Sequence, residues 1–134
     1  DSLESVESLL AVFKRRTVPK RSTLWHQGEP ADSAVFLEQG SLLAVVEEEA
    51  GTIEKVPEGM LVGEFGLITN GNRLSTLMAS EDSVILVLSR KRFQQLQQEQ
   101  PHLALLLSRI CINYLGLRTM HVANRIWESR CLPV

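Results

Sequence analysis

The chain is poor in the residues that catalytic and metal sites require. Its three histidines, His26, His102 and His121, are scattered without the spacing of metal ligands. Its two cysteines, Cys111 and Cys131, form neither a metal-binding pattern nor a disulfide framework, which fits a reducing compartment. No combination of serine, histidine and aspartate, or of cysteine and histidine, indicates a nucleophile. The sequence therefore predicts no enzyme activity, no catalytic residue, no metal and no cofactor.

Long apolar runs and an excess of one charge are also absent. The run that comes nearest to a membrane span, LALLLSRICI, is interrupted by Arg109. Lysine and arginine number 14 and the acids 16, so the net charge of −2 does not indicate a polyanion partner. Nothing after residue 128 suffices for a helix-turn-helix reader, and we therefore predict no nucleic-acid partner.

What the chain contains is one globular unit. It has 134 residues, of which 44% are hydrophobic and 22% charged, which suits one core and a single domain. It begins with Asp1 rather than Met, so we expect a piece of a longer protein whose other domains are its partners.

The first two parts of the chain differ in hydrophobic period. An N-terminal helix is predicted within residues 1–16 from four apolar residues at helical spacing: Leu3, Val6, Leu10 and Phe13. Residues 17–88 contain short β-prone runs separated by turn residues. These runs are STLWHQ, AVFLEQ, LLAVVE, TIEKV, LSTLMA and SVILVLS. Such a pattern predicts an α+β fold built on a jelly roll or barrel of about eight short strands.

The helical period returns over residues 89–128. Ser89 is suited to cap a first helix, RKRFQQLQQEQ, and Pro101 suits the first turn of a second helix. The second helix carries an apolar stripe that is typical of core packing: Leu103, Leu106, Leu107, Ile110, Tyr114 and Leu117.

The stretch GEFGLITNGNRLST, residues 63–76, lies between two predicted strands and carries one acid and one arginine. Gly63 permits a close approach of the backbone, and EFGLIT is long enough for one helical turn with free amides at its start. Arg73 is suited to bind a phosphate together with such amides, and Glu64 to accept a hydrogen bond from a sugar hydroxyl. The combination predicts a nucleotide site in the jelly roll.

Structural roles compete with each of these interpretations. Arg73 is also suited to a salt bridge, for instance with Glu64, and the glycines to backbone geometry alone. Trp25 and Trp127 are more often core or helix-docking residues than base-stacking ones. The basic cluster is typical of a solvated face, or of contact with anionic lipid if the parent is membrane-bound: Lys14, Arg15, Arg16, Lys20 and Arg21.

The motif resembles the phosphate-binding cassette of cyclic nucleotide-binding domains. The cassette order is found at eight positions: Gly63, Glu64, Phe65, Gly66, Arg73, Leu74, Ser75 and Thr76. The runs LWHQGEPADSAVFLEQGSL and EDSVILVLSRKRF are similar to the family's flanking strands, and the likeness covers almost the whole chain. It implies that Glu64 binds the ribose, that Arg73 and the amides near Phe65 and Gly66 bind the phosphate, and that C-terminal helices act as a lid. Three residues are loose lid candidates: Met120, Val122 and Trp127.

The resemblance implies a regulatory module that binds cAMP or cGMP and moves its C-terminal helices against an attached domain. The tail is most similar to the version that follows the STAS domain of SulP-type anion transporters, which implies a cytoplasmic domain on the cytosolic face of a membrane protein. Leu74 departs from the family, which has Ala, Ser or Thr there. Its side chain either fills the phosphate's place or points away. A degenerate, non-binding interaction domain is the alternative function.

Overall fold

The computed structural model describes residues 7–46 and 52–111. Within them, eight strands form two antiparallel sheets, which confirms the predicted jelly roll. The strands are β1 (Lys14–Val18), β2 (Thr23–Trp25), β3 (Ser33–Gln39), β4 (Leu42–Val46), β5 (Thr52–Val56), β6 (Leu61–Val62), β7 (Thr76–Ala79) and β8 (Ser83–Ser89).

Each sheet contains four strands. The order in the first sheet is β1-β8-β3-β6, and in the second it is β2-β7-β4-β5. The long strands β3 and β8 form the centre of the first sheet, where Val35 lies opposite Val87 and Leu37 opposite Ile85. Because side chains alternate between the two faces of a strand, Val35, Leu37 and Ile85 are buried between the sheets, whereas Ala34 and Leu88 pack with the helices.

Helical segments flank the strands. They are α1 (residues 7–10), α2 (Phe65–Ile68), α3 (Arg90–Glu99) and α4 (residues 101–111). Ser89 caps α3 as predicted, because its hydroxyl accepts a hydrogen bond of 3.0 Å from the Arg92 amide. Helix α4 begins at Pro101, also as predicted. No helix of the described segments is long and apolar enough to cross a membrane.

Two apolar clusters form the core. One lies between the sheets and includes Val35, Leu37 and Ile85. The other joins the helices to the outer side of the first sheet and includes Phe93, Leu96 and Leu107 of α3 and α4. The predicted stripe of the last helix is therefore core packing over its described part, while Tyr114 and Leu117 lie outside the described residues.

Two elements differ from the prediction, the N-terminal helix and strand β6. The helix ends at Leu10 and the first strand begins at Lys14, so residues 11–16, with Phe13 among them, do not belong to the predicted N-terminal helix. This strand lies at a sheet edge and its first four residues are exposed, so it has no alternating apolar pattern. The two-residue strand β6 was not predicted, because a pair of residues shows no periodicity.

Candidate functional site

The predicted motif leaves one sheet at the end of β6 and enters the other at the start of β7. Gly63 follows β6 with a φ of 74°, a left-handed conformation that favours glycine. The chain then turns into α2, and the Gly66 amide donates to the Gly63 carbonyl at 2.9 Å. The sequence therefore predicted this single helical turn correctly.

Both charged residues of the motif are buried. The Glu64 residue is 2% exposed and the Arg73 residue 6% exposed. Because transfer of ionised groups out of water costs free energy, buried charges are usually paired within the fold or belong to a functional site.

The Arg73 guanidinium is bound at its end, through both terminal nitrogens, and covered on one face. Its Nη1 donates to the Ser33 carbonyl at 2.9 Å and its Nη2 to the Ser33 hydroxyl at 2.9 Å. The Trp25 ring covers the guanidinium, with 3.5 Å between Arg73 Cζ and the ring centroid. Nη2 also lies 3.8 Å from the exposed carboxylate of Asp32. The sequence suggested Glu64 as a salt-bridge partner, and Asp32 was not foreseen.

One nitrogen of this guanidinium has no partner in the part of the chain that the structure describes. Arg73 Nε is buried and has no hydrogen-bond partner within the described residues. Burial lowers the pKa of the Arg73 guanidinium, while the nearby carboxylates of Asp32 and Glu29 act in the opposite direction. An acceptor placed at Nε would satisfy a buried donor to which no described residue binds.

The backbone of Arg73 is anchored to the turn that follows β2. The Arg73 amide donates to the Glu29 carbonyl at 2.7 Å, and its carbonyl accepts from the Gly28 amide at 2.8 Å. Two more contacts join the same segments. The Gln27 amide donates to the Thr76 hydroxyl at 2.9 Å, and Pro30 forms an isolated β-bridge with Asn72, in the turn between α2 and β7. The position of Arg73 is therefore fixed by its main chain and its side chain together.

Gly63 and Gly66 are needed for close contacts as well as for turns. A Cβ on Gly63 would lie 2.7 Å from Arg73 Nη1, 2.7 Å from Trp25 Cη2 and 3.2 Å from the Ser33 carbonyl oxygen. A Cβ on Gly66 would lie 2.9 Å from both the amide nitrogen and the carbonyl oxygen of Ser33. The segment around Ser33 thus packs directly against the start of the cassette, which leaves no room for a side chain at Gly66.

The three residues after Arg73 have different environments. Leu74 is 79% exposed, so its side chain does not fill the space beside Arg73. Ser75 is half-buried, and Thr76 is buried, where its hydroxyl anchors the turn after β2. Of the two arrangements that the sequence left open for Leu74, the structure has the one in which the side chain points away.

Arg90 connects this site to the C-terminal helices. It is the first residue of α3, and its amide donates to the Asp32 carbonyl at 2.7 Å. Its guanidinium donates to the Ala31 carbonyl at 2.6 Å and to the Asn70 side chain in the cassette turn. The start of α3 is therefore tied both to the cassette and to the segment that holds Arg73.

Three residues at the site were not predicted as part of it: Trp25, Ser33 and Arg90. Trp25 was considered a core or docking residue, and it is half-buried against the core between the sheets while it covers Arg73. Ser33 lies 40 positions before Arg73, and no local pattern links the two. The predicted lid candidates Met120, Val122 and Trp127 lie outside the described residues.

The sequence is similar to proteins that contain a cyclic nucleotide-binding domain. The profile of the family with that description matches residues 15–100. The cAMP-activated global transcriptional regulator CRP of Salmonella typhimurium is 29% identical over 110 residues, which are 79% of this chain and 52% of that protein. An uncharacterised NTE family protein of Mycobacterium tuberculosis is 30% identical over 98 residues, 73% of this chain and 17% of that protein. The chain thus spans about half or less of these relatives.

Solved structures show the same fold. A cyclic nucleotide-binding domain from Methylobacillus flagellatus has a TM-score of 0.84 at 24% identity and covers 98% of this chain and 75% of that one. The c-di-GMP responsive global regulator CLP of Xanthomonas campestris has a TM-score of 0.76 at 25% identity, over 98% of this chain and 66% of that one.

Proposed function

The chain belongs to the cyclic nucleotide-binding domain family, and on that premise we propose that it is a regulatory module that binds cAMP or cGMP beside Glu64 and Arg73. One observation carries the proposal: Arg73 is 6% exposed in the family's phosphate position, yet its Nε has no hydrogen-bond partner within the described residues. A cyclic phosphate at that edge would satisfy the donor and balance a desolvated cation.

The phosphate contact depends mainly on Arg73. A guanidinium forms paired, charge-assisted hydrogen bonds with phosphate oxygens, and each is stronger than a bond between neutral groups. The amide of Phe65, at the first helical position of α2, has no carbonyl within the helix to bind, and we assign it as the backbone donor to the phosphate. The Gly66 amide already binds the Gly63 carbonyl, so its contribution to the phosphate would require that this bond be shared.

Glu64 is the proposed acceptor for the ribose hydroxyl. The residue is 2% exposed and lies at the start of α2, on the same segment as the amide that would meet the phosphate. A carboxylate beside an anionic ligand is unfavourable for the phosphate itself but favourable for a hydroxyl donor. Ser75 and Thr76 complete the cassette, with Thr76 shaping the wall rather than meeting the ligand, because its hydroxyl accepts from the Gln27 amide.

We propose that the output is a population shift of the C-terminal helices. Arg90, at the start of α3, binds Asn70 of the cassette turn and the carbonyl of Ala31. A ligand that rearranges the cassette therefore alters contacts at the first turn of α3. Only a difference in affinity between the two helix arrangements transmits work to an attached domain.

A second function is supported by the contacts of Arg73 with the protein itself. Two of its nitrogens bind Ser33, and the Trp25 ring covers one face of its guanidinium. A member of the family that has lost its ligand and acts as an interaction domain would also keep such an arginine as a structural element. Measured binding distinguishes the two functions.

The test is calorimetric titration of the chain with cAMP and with cGMP. We expect saturable heats with at least one nucleotide, and a ten- to hundred-fold loss of affinity in Arg73→Ala, since a charge-assisted hydrogen bond contributes about 1.5–3 kcal/mol. Arg16→Ala is the control, because Arg16 is exposed on β1. Absence of heat at millimolar nucleotide would instead support the interaction domain.

The identity of the attached domain is a separate proposal. The similarity of the tail to SulP-type transporters predicts a STAS domain before residue 1 and a location on the cytosolic face of a membrane. The relatives described above are regulators and an NTE family protein. Reading the coding sequence on both sides of the chain decides the question, because a DNA-binding motif after residue 134 would contradict the transporter.

A further inference from the structure

The Trp25 ring is the only aromatic surface that the described residues place over the Arg73 guanidinium. The tryptophan comes from the end of β2, whereas the arginine enters from the turn before β7. The distance of 3.5 Å between Arg73 Cζ and the ring centroid is that of direct stacking. Neither residue is placed there by its neighbours in sequence, so the contact is a product of the fold.

Ser33 occupies the end of the same guanidinium. Nη1 donates to its carbonyl and Nη2 to its hydroxyl, both at 2.9 Å. A guanidinium is planar and has its five donors in a rigid fork. With the end bound by Ser33 and one face covered by Trp25, Nε is the guanidinium nitrogen to which no described residue binds.

We propose that Trp25 is a positioning residue, which together with Ser33 holds Arg73 in the one orientation that leaves its Nε edge for an anionic oxygen. The inference rests on the proposed function, because Trp25 would position the arginine of that same phosphate contact. Ser33 alone fixes Nη1 and Nη2 but leaves the guanidinium plane free to rotate about the line through these two nitrogens. The indole stops this rotation, since tilting the plane would separate it from the ring.

Gly63 makes this arrangement sterically possible. The position of its missing Cβ lies 2.7 Å from both Arg73 Nη1 and Trp25 Cη2, so the two side chains meet over the bare backbone of the glycine. The guanidinium is therefore confined by backbone, indole and serine at the same time. An arginine ordered in advance loses less side-chain entropy when a ligand binds.

The substitutions Trp25→Leu and Trp25→Phe separate this role from simple packing. Leucine keeps an apolar side chain but removes the aromatic face, while phenylalanine retains a smaller face. We expect Trp25→Leu to weaken cAMP binding about two- to thirty-fold, which corresponds to the range of cation–π contributions. Trp25→Phe should restore most of the affinity, and the effect of Trp25→Leu should vanish in an Arg73→Ala background.

A second readout does not depend on nucleotide binding. In proton–nitrogen spectra, the Arg73 Nε–H signal of the parent chain should be shifted by the indole ring current and protected from exchange. Trp25→Leu should move it towards the signals of exposed arginines, and Trp25→Phe should return it part of the way. Denaturation of each variant in urea shows whether the fold is retained.

The outcomes separate the two proposals. If the parent binds neither cAMP nor cGMP but the Nε–H signal responds as described, the proposed function fails and the positioning of Arg73 by Trp25 stands. An Nε–H signal that is unchanged in folded Trp25→Leu overturns the positioning. Where the parent binds cAMP, binding by Trp25→Leu that equals or exceeds that of the parent also overturns it, because Trp25 would then be neutral or an obstacle.

Discussion

Replacement of Gly63 by alanine tests the geometry of the site through stability. Gly63 has a φ of 74°, and the left-handed conformation costs a residue with a Cβ about 1–2 kcal/mol. The added Cβ would also lie 2.7 Å from Arg73 Nη1 and from Trp25 Cη2 and 3.2 Å from the Ser33 carbonyl oxygen. Overpacking of this kind typically costs about 1–3 kcal/mol, so we expect Gly63→Ala to lose about 2–5 kcal/mol of unfolding free energy.

Gly59→Ala is the matched control. Gly59 has a φ of 86°, but a Cβ there would meet no atom within 4 Å, so this variant isolates the cost of the backbone conformation. Urea denaturation of both variants should give a difference of about 1–3 kcal/mol, which reports the crowding at Arg73 and Trp25. Equal losses would refute the close packing of Gly63 against these side chains.

Three further predictions concern other residues. Gly66→Ala should lower the free energy of unfolding by about 1–3 kcal/mol in urea denaturation, because its Cβ would lie 2.9 Å from the Ser33 backbone. Gly71→Ala is the control and should be tolerated, because the nearest atom to its Cβ would be 3.7 Å away. Equal losses would contradict the close approach at Gly66. Leu74→Ala should change stability by less than about 0.5 kcal/mol and leave cAMP affinity within a few-fold in calorimetry, since Leu74 is 79% exposed; a tenfold gain in affinity would show that the leucine obstructs the ligand. Burial raises the pKa of the Cys111 thiol to about 11, above its ordinary value of 9.0, so the native state holds this proton more tightly and its stabilising effect is lost as the pH rises from 9 towards 11. Thermal unfolding against pH should therefore show a steeper decline above pH 9 for the parent than for Cys111→Ala, and parallel curves would contradict the burial of the thiol.

Most of the fold was predictable because its signals are local. The runs AVFLEQ and SVILVLS alternate or are continuously apolar between turn residues, and they became the central strands β3 and β8. The cap at Ser89 and the helix start at Pro101 depend on neighbouring backbone groups, so sequence alone indicates them. Strand β1 was missed because an exposed edge strand needs no apolar face.

The site was predictable only in part, for a different reason. The resemblance to a family supplied the order of the cassette from Gly63 to Thr76. The partners of Arg73 come from β2 and β3, and nothing near the arginine in sequence indicates Trp25 or Ser33. Such contacts are set by the register of strands that are far apart in the chain. The sequence likewise left the orientation of Leu74 open. Successive side chains of a strand point to opposite faces, and the sequence does not show which of Leu74 and Ser75 faces the ligand.

The central claim is that a cyclic nucleotide binds beside Glu64 and Arg73. Titration of the isotope-labelled chain with cAMP and cGMP, followed by the backbone amide signals and the Arg73 Nε–H signal, tests it most directly. We expect saturable shifts that are largest for residues 63–66, for residues 73–76 and for Arg73 Nε–H, and that are lost in Arg73→Ala. Signals that stay unchanged up to millimolar nucleotide, or that shift only elsewhere in the chain, would contradict the claim.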